Sequence, residues 1–81
     1  MTRRHRLLND ALQALDSSGP LAISTLARQI NVVEHDAHIV MLTAEVERLV
    51  YATAAGEWAI TDRGRYTLQN FREATRPKPW A

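Results

Sequence analysis

Cysteine is absent from these 81 residues. Disulfides, thiolate-bound structural zinc and thiol catalysis are therefore excluded, and a reducing cytoplasm is the expected setting. No apolar run approaches the length of a membrane span. Glycine is scarce, at three residues, and none belongs to a phosphate-cradling loop. There is no Ser-His-Asp spacing with a glycine elbow and no evident pair of carboxylates for acid-base work. No enzyme activity, cofactor or metal is expected. Charge of one sign is also lacking: the net charge is +1, so no strong global pull towards nucleic acid exists.

What is present is enough apolar sequence, 46%, for a core in one compact domain over 1–81. The expected core spans about 5–74, with 75–81 as an extended, proline-containing tail in which Trp80 has a modest chance of docking. Nine of the ten basic residues are arginine. They gather at Arg3, Arg4 and Arg6 and again at Arg63, Arg65, Arg72 and Arg76, while the middle carries Glu34, Asp36, Glu45 and Glu47.

Leu7, Leu8, Ala11, Leu12 and Leu15 fall on one face of a helix, closed by Ser17-Ser18-Gly19-Pro20. This amphipathic pattern, broken by Asn9, Asp10, Gln13 and Asp16, is not a signal-peptide core. Leu21-Ala22-Ile23 reads as a short strand, and Ser24 as the N-cap of a helix over Thr25 to Ile30. Asn31 suits the left-handed residue of a turn. A longer helix is expected from Glu34 to Arg48, with Glu34 and Asp36 well placed in its first turn. Leu49 to Thr53 and Trp58 to Ile60 read as two strands around Ala55-Gly56-Glu57. Thr61 or Asp62 caps a last helix whose apolar contacts are Tyr66, Leu68 and Phe71. The expected class is α+β and mostly helical, in the order helix, strand, helix, helix, strand, strand, helix.

Leu26-Ala27-Arg28-Gln29-Ile30-Asn31-Val32, followed by Ala37 and Val40, resembles the helix-turn-helix signature. Ala27 is small where two helices cross, Asn31 stands at the usual glycine, and Val32 plugs the corner. Arg48-Leu49-Val50-Tyr51 resembles the Gly-Leu-Val step that leads into a wing, with arginine in place of glycine. Trp58-Ala59-Ile60-Thr61-Asp62-Arg63-Gly64-Arg65 resembles the strand-to-helix junction of MarR- and PadR-like winged helices. The resemblance runs from about Leu7 to Phe71. It implies a winged helix-turn-helix fold, binding to double-stranded DNA, regulation of transcription and a homodimer.

On that resemblance, DNA contacts fall to Glu34, His35, His38 and Ile39 early on the second helix, with Arg28, Arg63, Arg65, Arg3 and Arg4 against phosphates. Arg65 often has a structural role at this junction, and the basic terminus can equally be a solvated, frayed arm. The helix 34–48 lacks the Arg, Lys, Asn and Gln that read bases through paired hydrogen bonds, so base readout is expected to be weak. His35, Ile39, Leu42, Val46 and Leu49 form a stripe opposite its core stripe. The wing can cover Val46 and Leu49, but Ile39 and Leu42 have no evident cover. That favours an alternative, a protein-interaction or dimerisation module, with Ile39, Leu42, Tyr66 and Phe71 as interface residues. His35 and His38 sit one turn apart, but only Glu34 stands near as a third ligand, so no metal site is expected.

Overall fold

The computed structural model describes residues 3–75, with side chains for 3–71. Its elements are α1 (Arg3–Ser18), α2 (Ile23–Gln29), α3 (Glu34–Val46), β1 (Val50–Ala52), β2 (Trp58–Ile60) and α4 (Asp62–Thr75). The protein is a mostly helical α+β structure whose two strands form one antiparallel hairpin. The arrangement is compatible with a winged helix.

Three helices converge on a single core. Ala11, Leu12 and Leu15 of α1, Leu26 and Ala27 of α2, and Ala37, Val40, Met41 and Ala44 of α3 are all buried. Leu68 of α4 and Trp58 and Ile60 of β2 close it from the other side. No polar or charged residue is buried among the described residues.

The expected strand at Leu21-Ala22-Ile23 does not form. Only Leu21 pairs, exchanging two backbone hydrogen bonds with Trp58 at 2.9 and 2.8 Å. Ile23 already begins α2, behind Ala22 in an extended N-cap conformation with no side-chain cap. Ser24 therefore lies inside the helix rather than capping it. The sheet has two strands, not three.

Both helices of the central pair end in the same way. Asn31 has φ 61° and Arg48 φ 62°. After α2, Asn31 N–H donates to Arg28 O at 3.3 Å and Val32 N–H to Ala27 O at 3.0 Å. After α3, Arg48 N–H donates to Glu45 O and Leu49 N–H to Ala44 O, each at 2.9 Å. Each is a Schellman closure, in which one left-handed residue lets two amides reach back to otherwise orphaned carbonyls. Arg48 ends α3 at Val46, two residues short of the expected boundary, because a left-handed residue cannot continue a helix.

The hairpin pairs Val50 with Ile60, Tyr51 with Ala59 and Ala52 with Trp58. Its turn is closed by Thr53 N–H to Glu57 O at 2.7 Å and passes through Gly56 at φ 80°.

The hairpin is fastened to both neighbouring helices by Thr61. Its amide donates to Leu49 O at 3.0 Å, and its hydroxyl donates to Arg48 O at 2.7 Å, with Leu49 O 3.0 Å away. The same oxygen accepts from Gly64 N–H at 3.0 Å, which makes Thr61 the N-cap of α4. Gly64 is buried here for a reason of space. A Cβ at this position would overlap the Leu49 carbonyl oxygen and lie 2.7 Å from Ile60 Cγ1. The Thr61-x-x-Gly64 spacing thus lets the last helix pack against the chain leaving α3. The helix continues through Thr75, past the start expected for the extended tail; residues 76–81, including Trp80, lie outside the described residues.

Candidate nucleic-acid interface

At 100° per residue, the buried stripe of α3 fixes what the opposite side presents. Its outermost line is His35, Ile39, Leu42 and Val46, all exposed. Ile39 and Leu42 are each 43% exposed and Val46 is 83% exposed. The wing was expected to cover Val46 together with Leu49. It covers neither in that way: Leu49 turns inward at the Schellman closure, to 3% exposure, and Val46 stays open.

The two flanks of this line face different neighbours. Asp36 lies towards α1, where Arg3 Nη2 stands 3.7 Å from its Oδ2. His38 lies towards the hairpin, its ring edge-on to Trp58 with centroids 6.4 Å apart. Glu34 and Glu45 share the hairpin-side flank by helical phase. Between α1 and α3 runs a groove of about 390 Å³ lined by Arg3, Arg4, Leu7, Asp36, Ile39 and Val40.

The arginines separate into paired and unpaired. Arg65 is held twice, with Nε 3.3 Å from Asp16 Oδ1 and Nη1 3.0 Å from Asp62 Oδ1. It ties α4 to α1, which accounts for its place in the junction motif without nucleic acid. Arg3 is drawn to Asp36, and the cluster Arg3, Arg4 and Arg6 forms the first turn of α1 rather than a free arm. Among the described residues no acidic residue of α1 itself lies in this first turn, so the carboxylate that meets the cluster comes from Asp36 of α3.

Arg28 on α2 and Arg63 on α4 are exposed and have no carboxylate partner among the described residues. Arg48 joins them: its sequence marks it as an arginine in place of a glycine but not as a contact residue, and it stands at a left-handed φ that costs an ordinary residue about 1–2 kcal/mol. Its position at the C-terminus of α3 offsets part of that cost through the helix dipole. Thr61 brings Arg48 and Arg63 to one corner, because Thr61 contacts the Arg48 carbonyl and Arg63 follows two residues later. Arg28 lies in the last turn of α2, before the turn into α3, and α3 itself is about 20 Å long over its 13 residues.

The remaining interface residues divide similarly. Tyr66 was expected as an apolar contact of the last helix, yet it is 67% exposed. Phe71 is half-buried against the core. Among the described residues, no three His, Asp or Glu side chains come together to hold a metal ion, and no helix is long and apolar enough to cross a membrane. No protein-family model and no curated protein sequence matches the chain.

Proposed function

We propose that this protein is a winged helix-turn-helix that binds double-stranded DNA as a dimer and serves in transcription regulation. It holds phosphates through arginines outside α3 and reads bases weakly. The observation that carries this reading is the placement of unpaired guanidinium groups at both ends of α3, with the hairpin latched at one of them. Arg28 stands at one end and Arg48 with Arg63 at the other. Guanidinium groups make strong, paired hydrogen bonds to phosphate oxygens. The outer line of α3 offers no Arg, Lys, Asn or Gln, so sequence discrimination has no strong source there.

Fluorescence anisotropy with a duplex across a salt series tests this. Each phosphate contact contributes about 0.9 to the slope of log K against log salt, so the triple variant Arg28→Gln, Arg48→Gln, Arg63→Gln loses about 2.7 from that slope. Binding weaker than about 10⁻⁴ M at low salt for the unaltered protein would sink the reading.

A second reading rests on a specific observation, the aliphatic outer line of α3. It makes the same fold a protein-interaction module without specific DNA binding. Surface charge changes at Arg28, Arg48 and Arg63 then leave its partner binding intact.

A further inference from the structure

We infer that a second copy of this chain covers the outer face of α3, with the two α3 helices packed antiparallel about a two-fold axis. This specifies the dimer of the DNA reading and leaves DNA contact to the arginines outside α3, since the covered face no longer reaches bases.

The outer line is symmetric in its own spacing. His35, Ile39, Leu42 and Val46 are separated by four, three and four residues, so the pattern is unchanged when the helix direction is reversed. A two-fold axis between Val40 and Met41 brings Ile39 opposite Leu42 of the second copy and His35 opposite its Val46. A two-fold interface must be self-complementary, and this spacing permits it.

Charge and shape fit the same arrangement. Such an axis keeps like flanks together, so the hairpin-side flank of one copy meets that of the other. His35 and His38 of one copy then straddle Glu45 of the second, with axial offsets of about 1.5 and 3 Å at 1.5 Å per residue. The contact occurs twice by symmetry. None of His35, Glu45 and Glu34 has a carboxylate or cation partner within the chain among the described residues. On the other flank, the groove between α1 and α3 lies level with Val46 and Thr43 of the second copy. Val46 is the most exposed large apolar residue described. In this packing it enters the groove beside Leu7 and Ile39, while Arg3 and Arg4 rim the entrance. Parallel packing offers none of this, because its two-fold axis sets the hairpin-side flank of one copy against the groove-side flank of the other and takes Glu45 away from His35 and His38.

One helix face and a shallow groove lie at or below the about 1,200 Å² low end of stable interfaces, so association is measured from micromolar to millimolar protein. Sedimentation equilibrium on the full chain is expected to show a dimer. Leu42→Glu is expected to be monomeric with an unchanged far-UV circular dichroism spectrum. His35→Glu sets acid against Glu45 and weakens the dimer at least tenfold, and adding Glu45→Lys restores it.

The absence of native cysteine makes the orientation directly testable. Mixed Ile39→Cys and Leu42→Cys chains, treated with diamide as oxidant, are expected to form the mixed disulfide. Val46→Cys alone is expected to stay uncrosslinked, its two sulfurs lying about 16 Å apart along the axis. A protein that stays monomeric at millimolar concentration overturns the inference. So does a Val46→Cys chain that crosslinks to itself more readily than the 39–42 mixture. A dimer joined through 39 and 42 that ignores DNA supports this inference and removes the DNA reading, while a monomer that binds DNA overturns this inference and keeps the DNA contact without its dimer.

Discussion

Replacing Gly64 with alanine pits two effects of opposite sign against each other. Gly64 lies near the start of α4 without a positive φ. Helix propensity alone therefore favours alanine there by about 0.8–1 kcal/mol. The steric effect opposes it, since the new methyl would overlap the Leu49 carbonyl oxygen and press on Ile60 Cγ1 at 2.7 Å. Ile60 is buried in the core and has little room to yield. The Leu49 carbonyl is fixed by the amide of Thr61 at 3.0 Å, with the Thr61 hydroxyl at the same distance. Moving it opens the latch and weakens the N-cap of α4, itself worth about 1 kcal/mol. Overpacking against rigid neighbours costs about 1–3 kcal/mol or more. With the latch included and the propensity gain subtracted, Gly64→Ala is expected to lose about 2 kcal/mol. In a domain of this size that lowers Tm by about 8–16 °C. Thermal unfolding followed by circular dichroism reads the change. A Tm equal to or above that of the unaltered protein would refute the latch as the joint between hairpin and last helix.

Further consequences are open to similar measurements. Arg48→Gly should be at least as stable as the unaltered protein in thermal melts, while Arg48→Val should lose about 1–2 kcal/mol, because a β-branched residue tolerates a left-handed φ poorly. Arg65→Ala should cost at most about 1 kcal/mol in urea unfolding, since its ion pairs with Asp16 and Asp62 are solvent-accessible. The same variant should leave DNA affinity unchanged, in contrast to Arg63→Gln. Asn9 Oδ1 is buried with no hydrogen-bond partner among the described residues. Asn9→Leu should therefore gain about 1 kcal/mol and raise Tm, and a fall in Tm would show that its amide is needed.

Features set by local spacing were legible in the sequence. The core stripe Ala37, Val40, Met41 and Ala44, the left-handed turn at Asn31 and the cap at Thr61 each follow from residues within one or two helical turns. Features that needed a distant partner were not. Leu21-Ala22-Ile23 has the composition of a strand, but its fate depends on Trp58, which has only one residue to pair with there before α2 begins. The pairing of Arg65 with Asp16 joins residues 49 apart in sequence. Arg3 likewise finds Asp36 only because α1 crosses the start of α3. The exposure of Val46 was misjudged because the short hairpin leaves Tyr51 and Ala52 outward and buries β2 against the helices instead. Arg48 was visible as an unusual residue at a glycine position, and its left-handed φ explains both the early end of α3 and its place beside Arg63.

The most direct test of the proposal that this protein holds DNA through phosphates and reads bases weakly is the ratio of its affinities for two duplexes of equal length and unrelated sequence at one salt concentration. Anisotropy titrations at about 50 mM salt, where phosphate contacts are strong, give that ratio. The expected value lies within about threefold of one, since phosphate contacts carry no direct base information. A preference of a hundredfold or more would contradict it and return base reading to His35, His38 and their neighbours on α3.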